Sequence, residues 1–316
     1  MLTPIQAHIG RPVMPHDLWS AWNLDPIIVT GLALAGWLYW TGVRRRGNRP
    51  ALRRSGFFAA GLATIAIALL SPIDALATVL VSGHMLQHLL LIMVAAPLIV
   101  IGDPATVMRG VPRGVRKSTG RWRHEHGFFP ARISSLHHPV PIFLATTCAI
   151  WFWHASVAYE AAADNHILHA LEHASFLVTA ILFWNALLSR RPSSQLSPGA
   201  SVLLIFAVAM QGVILSALLT FGDTPWYPSY EATARSWNLD PIEDQRLAGL
   251  LMWIPGGLLY TGAALRLLGG WLRLEDGPPF QRPRDRGADS SIEADDDSGR
   301  RSSAPRQSQT RETSSS

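Results

Sequence analysis

The sequence predicts an all-α membrane protein: a bundle of seven transmembrane helices, with the N-terminus outside and a cytoplasmic C-terminal tail. Three observations carry that reading. Charged residues make up 16% of the 316-residue chain, below the ~25% usual for a soluble domain. Seven apolar stretches, 26–43, 56–80, 83–102, 139–158, 166–189, 199–221 and 245–268, hold 154 residues but only four charged side chains, Asp74, Glu172, Arg246 and Arg266. The other 162 residues carry the remaining 45. Finally, Lys and Arg alternate in density from loop to loop. About 20 apolar residues cross a hydrocarbon core of ~30 Å, and within lipid only a helix or a closed barrel pairs every backbone group. The runs lack the two-residue alternation of barrel strands, which excludes the barrel.

The elements follow in order. Asp25 and Pro26 begin the first span with an N-cap acceptor and a proline at the first helical position. The same hexapeptide, Trp-Asn-Leu-Asp-Pro-Ile, occurs at Trp22–Ile27 and Trp237–Ile242, so paired helix-start caps are expected before the first and seventh helices. The second span, 56–80, is the least continuous, because Ser71-Pro72 and Asp74 interrupt it. The third opens on His84-Met85-Leu86-Gln87-His88, and the fourth carries Cys148 mid-span and ends near Trp151-Phe152-Trp153-His154. The fifth opens on His166, His169 and His173, and the sixth and seventh are apolar runs holding Met210 and Met252. The membrane domain is therefore placed at 1–272. Residues 273–316, rich in Ser, Arg, Asp and Pro, cannot bury a core and are expected to form a disordered tail.

Loops 44–55, 103–138 and 190–198 hold fifteen Lys and Arg, whereas the alternate side holds two, Arg11 and Arg235. That asymmetry places the N-terminus outside. Arg44–Arg46 follow the first apolar stretch, so it is read as a retained anchor rather than a cleaved signal. The pI near 10.0 reflects these inside loops and the tail, which hold topology and touch anionic lipid, so no nucleic-acid partner is expected. A single cysteine excludes an internal disulfide and a CxxC metal site. Trp151, Trp153, Trp226 and Trp237 are expected to form an interfacial belt.

Six of the twelve histidines fall inside spans: His84, His88, His154, His166, His169 and His173. All lie in the outer halves of their helices. His84 and His88 are spaced i,i+4, and His166, His169 and His173 i,i+3,i+7, so each group shares one helix face. Intramembrane ionisable groups are costly and face the bundle interior. Imidazoles on one helix face can hold a transition metal, with a carboxylate orienting the outer nitrogen. Asp74 and Glu172 are the candidate carboxylates, and Met85 and Met210 the candidate thioethers, which favour Cu(I). His124, His126, His137 and His138 are read as solvated residues of an inner loop.

The motif His84-Met85-Leu86-Gln87-His88, the Trp153-His154 pair and the series His166-x-x-His169-x-x-Glu172-His173 resemble the multi-pass CtaG family of cytochrome c oxidase assembly factors. So does Asp244-Gln245-x-Leu247-Ala248-Gly249-x-x-Met252-Trp253-Ile254-Pro255-Gly256. The resemblance spans about residues 22–268. It implies a bacterial plasma-membrane factor, not an enzyme, that serves haem-copper oxidase subunits and supplies copper, taken from a periplasmic or other extracytoplasmic carrier. Carried over by position, the metal residues are His84, His88, His154, His166, His169 and His173, with Asp74, Glu172 and Asp244 as weaker additions. The expectation is a copper site, as Cu(I), facing outwards. Two rivals stay open: a bis-histidine haem electron carrier and a proton- or metal-coupled transporter.

Overall fold

The computed structural model describes residues 13–45, 52–112, 114, 138–188 and 196–275. The chain is all-helical, and no strand occurs among the described residues. Its helices are α1 (Pro26–Arg44), α2 (Leu52–Leu70), α3 (Pro72–Ala77), α4 (Val81–Leu89), α5 (Ala96–Ile101), α6 (Ala105–Gly110), α7 (Pro139–His154), α8 (Ser156–Asp164), α9 (His166–Leu188), α10 (Pro198–Phe221), α11 (Glu231–Ser236) and α12 (Pro241–Glu275). A π-helical segment, Leu90–Ala95, joins α4 to α5. Among the described residues six spans are long and apolar enough to cross a membrane, and seven if the bent pair α7 and α8 counts as one. The tail expected at 273–316 begins later, since α12 runs on to Glu275, and the rest of it, 276–316, lies outside the described residues, as do His124, His126 and His137.

Both copies of the repeated hexapeptide do cap helices. Asp25 Oδ1 accepts from the Ile27 and Ile28 amides at 2.7 and 3.4 Å. Asp240 Oδ1 accepts from the Ile242 amide at 2.9 Å. Pro26 and Pro241 follow at the first helical position, where a missing N–H costs nothing.

Three expected spans are reshaped, and at each break a backbone carbonyl loses its helical partner. The second does not run to residue 80. Pro72 cannot donate to the Ala68 carbonyl, so α2 ends at Leu70, and Gln87 Nε2 donates to that carbonyl at 2.9 Å instead. In the third, Ala96 donates to Leu91, five residues back, and Pro97 has no N–H to give Ile92. The Ile92 carbonyl is taken by the Trp184 indole at 2.9 Å. The fourth ends early: after His154 the chain turns by 73° into α8, and the His154 carbonyl accepts from the Tyr227 hydroxyl at 3.0 Å. A freed carbonyl in an apolar interior is expensive unless paired, and here a distant side chain pairs each one.

The outward surface of the bundle is apolar, with Leu34, Trp37, Leu203, Phe206 and Leu258 among its large exposed residues. Tyr39, Phe58, Ile65, Leu91 and Ile99 fill one side of the interior. Phe183, Trp184, Leu204, Ile205, Val208 and Tyr260 fill the other. α10 and α12 pack along much of their length. They meet backbone to backbone at Gly249, where a Cβ would stand 2.3 Å from Thr220 Oγ1 and 2.8 Å from the Ser216 carbonyl. Small residues at such crossings are the usual means of close helix approach in membranes.

Candidate metal centre

All the helices that carry the span histidines present them at one end of the bundle, the end formed by the segments 13–25, 71–80, 155–165 and 222–240. His84 and His88 occupy the first two turns of α4, His154 is the last residue of α7, and His169 and His173 lie in the first two turns of α9. Chain direction alone therefore brings five imidazoles to one level. The rings pack against each other, with centroid separations of 4.4 Å for His84–His88, 5.3 Å for His84–His169, 5.2 Å for His88–His173 and 4.2 Å for His169–His173.

Glu172 projects into this group from α9 and is 0% exposed. Its two oxygens lie 3.7 Å from His84 Nε2 and 3.6 Å from His88 Nε2, beyond hydrogen-bond range. Neither oxygen has a hydrogen-bond partner among the described residues, and nor do His88 Nδ1, His154 Nε2, His169 Nε2 and His173 Nε2. Six unpaired buried acceptors and ring nitrogens in one place contrast with the general rule that buried polar atoms are paired. Two ligand triads lie within the cluster, His84–His169–His173 and His84–His88–Glu172, each with donor atoms within 4.8 Å of one another. Ligands of one ion at 2.0–2.1 Å sit about 3.3–3.6 Å apart, so side-chain adjustment alone closes either triad.

Hydrogen bonds fix the tautomer of His84. The Tyr230 hydroxyl donates to the Ala77 carbonyl at 3.0 Å, so its oxygen accepts from His84 Nδ1 at 3.2 Å. His84 then offers the lone pair of Nε2, which faces His88 Nε2 at 2.9 Å. Burial pushes the Tyr227 and Tyr230 phenols above their ordinary range, so both stay protonated and donate to the His154 and Ala77 carbonyls. Tyr159 stacks on Tyr227 at 3.8 Å and lies 5.0 Å from His84. Three tyrosines thus wall the cluster on its loop side. Sequence reasoning missed them, since two belong to a loop without periodicity. The only signal was their number in a short segment, Trp226-Tyr227-Pro228-Ser229-Tyr230.

The remaining candidates fall elsewhere. His166, at the start of α9, is exposed and pairs with Asp25 Oδ2 at 3.3 Å. Asp74 accepts from Asn23 Nδ2 and Gln87 Nε2, both at 2.9 Å, and so ties α3 to α4 and to the segment before α1. Met85 is buried in a cluster with Tyr159, Leu219 and Tyr227. Met210 is exposed on the bundle surface. His154 donates from Nδ1 to the Ile150 carbonyl at 2.8 Å and stands 6.2 Å from His88, outside both triads. Trp153 is buried and donates to Ser175 Oγ at 2.8 Å, so it belongs to the interior rather than to an interfacial belt.

Asp244 has a role that its position 163 residues from α4 conceals. The N-cap residue of α4, Leu80, supplies no side-chain acceptor. Asp244 supplies it instead: its carboxylate accepts from the Val81 amide at 2.7 Å, the Ser82 amide at 3.2 Å and the Ser82 hydroxyl. Gln245 beside it accepts from the Trp226 amide at 2.7 Å and donates to the Leu219 carbonyl at 3.2 Å. The Asp-Gln pair of α12 therefore caps the helix that carries His84 and His88 and clasps the end of α10.

No solved structure matches the chain. Uncharacterised proteins of Mycobacterium bovis and Mycobacterium tuberculosis are each 27% identical to it over 297 residues, covering 92% of this chain and 44% of theirs. One of Mycobacterium leprae is 24% identical over 293 residues, covering 88% of this chain and 43% of its own. The chain spans less than half the length of these relatives. The family model for the cytochrome c oxidase caa3 assembly factor matches residues 37–274, which include every helix of the histidine cluster. The chain belongs to the family of cytochrome c oxidase caa3 assembly factors.

Proposed function

We propose that this assembly factor binds copper as Cu(I) in the His84–His88–His169–Glu172–His173 cluster and delivers it to a haem-copper oxidase subunit, acting as a carrier rather than an enzyme. The observation that carries the reading is Glu172, a fully buried carboxylate with both oxygens unpaired among the described residues, set among imidazoles with unpaired nitrogens. Isolated charge in a low-dielectric interior is strongly disfavoured. A monovalent cation would leave the pair neutral, whereas a divalent one would leave a net charge, and this favours Cu(I). Imidazole is a good copper ligand. The rings pack against one another directly, which suits an ion better than the flat breadth of a porphyrin. The interior below the cluster, lined by Phe176, Ala180 and Phe183, is apolar, which suits binding at one end better than transport across the bundle.

With the N-terminus outside, the cluster would face the extracytoplasmic side, where copper arrives from a carrier and the oxidase copper centre is completed. The test is a bacterial strain lacking the protein and grown at limiting copper. Wild-type protein should restore oxidase activity and oxidase-bound copper, and His84→Ala combined with His88→Ala should restore neither. Full restoration by the double variant, at wild-type protein levels, would sink the proposal.

A further inference from the structure

The two ligand triads share His84 and differ in character. The His84–His169–His173 triad is formed by three imidazoles, of which His169 is only partly buried. Every member of the His84–His88–Glu172 triad is buried, and it carries the one carboxylate. His88 lies one turn beyond His84, about 6 Å further along α4 from the loop end of the bundle. His84 Nδ1 is engaged by the Tyr230 hydroxyl, which leaves Nε2 as its one donor for either triad. A lone pair serves one metal ion at a time, so the triads are alternative positions for one ion rather than two separate sites.

We propose that His84 hands a single copper ion between these positions: a half-open three-histidine triad that takes the ion up, and a sealed His84–His88–Glu172 triad that retains it. The inference rests on the copper reading above. The step is ligand exchange with no change of oxidation state. The bond to His84 Nε2 persists, the bonds to His169 and His173 are given up, and those to His88 Nε2 and Glu172 form. The proton that His88 Nε2 directs at His84 moves to the unpaired His88 Nδ1, so no net proton is taken up or lost. Three neutral imidazoles leave the copper complex with its positive charge. Adding the carboxylate neutralises it, and the buried position gains most from that in a low dielectric. Uptake and retention are then set by different residues, His169 for the first and Glu172 for the second, and release follows the same route in reverse.

The experiment uses the purified full chain mixed with the Cu(I) complex of bicinchoninate, followed by stopped-flow absorbance, and a second chelator challenge after desalting. Wild type should show uptake that depends on copper concentration, followed by a concentration-independent step that makes the ion resistant to the challenge. His169→Ala, at the partly exposed rim, should slow loading by about 10- to 100-fold, while the copper that does load resists the chelator challenge far better than in a Glu172 variant. Glu172→Gln, which keeps shape and removes charge, should keep the fast uptake but speed removal by about 10- to 100-fold. Circular dichroism and thermal melting confirm that each variant is folded. If both variants alter uptake and retention in the same proportion, the cluster is one site and the relay is wrong. If wild type binds copper in a single phase, the relay is likewise wrong and the copper reading stands. If wild type retains no copper, the copper reading itself fails and the relay with it.

Discussion

Replacing Asp244 with Ala removes the cap of the helix that carries His84 and His88 without touching either histidine. Asp244 is 1% exposed, and its carboxylate accepts from two backbone amides, Val81 and Ser82, and from the Ser82 hydroxyl. Loss of an N-cap acceptor costs about 0.5–2 kcal/mol. Here both amides would also be stranded in the interior, at about 1–3 kcal/mol each, so Asp244→Ala should destabilise the protein by about 3–8 kcal/mol. Asp244→Asn keeps one acceptor oxygen and loses the charge, and should cost about 1–2 kcal/mol, since charged acceptors bond roughly twice as strongly as neutral ones. Fraying would begin at Val81 and move His84, three residues on, before His88. Copper affinity should therefore fall by about 10- to 100-fold in the Ala variant and recover largely in the Asn variant. Thermal melting in detergent micelles, paired with chelator competition for Cu(I), reads both effects. An Ala variant that melts and binds copper as wild type does would show that α4 holds its place without the cap.

Other consequences of the geometry are equally open to measurement. Tyr230→Phe removes the acceptor that fixes the His84 tautomer and should weaken Cu(I) binding by about 10- to 100-fold with little loss of helix content, as chelator competition and circular dichroism would show. Trp184→Phe leaves the Ile92 carbonyl unpaired in the π-helical segment and should lower stability by about 1–3 kcal/mol, seen as a lower melting temperature. His166→Ala and Met210→Ala should leave copper content unchanged, because the first residue pairs with Asp25 and the second faces outward; loss of copper in either would redraw the site.

Helix positions were legible because crossing a bilayer demands about 20 apolar residues in a row, and the four charges in the seven runs hardly interrupt that signal. The helix-start chemistry of Asp25-Pro26 and Asp240-Pro241 was legible for the same kind of reason, since caps act within three residues. The breaks were less so. Ser71-Pro72 marked one, but nothing local announced the turn after His154, where a tyrosine 73 residues away takes the helix carbonyl. The π-helical segment depends on Pro97 and on an indole 92 residues from Ile92.

Histidine spacing correctly grouped His84 with His88 and His169 with His173, because i,i+4 neighbours share a face whatever surrounds the helix. It also drew in His166 by the same periodicity. Asn165 caps α9 at that point, accepting from Ile167 and Leu168, and the first residue of the helix lies at the bundle edge beside Asp25. Asp244 and Tyr230 act through tertiary hydrogen bonds, which leave no periodic trace. Asp244 was singled out by resemblance alone, as a residue of the site, and the structure makes it the support of the helix that carries the site.

The most direct measurement is the copper content of the purified, full chain after exposure to Cu(I) and desalting, for wild type and for His84→Ala combined with His88→Ala. About one copper per folded wild-type chain and almost none in the double variant are expected, since both triads lose their shared ligand. Equal copper in the two proteins, or none in wild type, would contradict the copper reading.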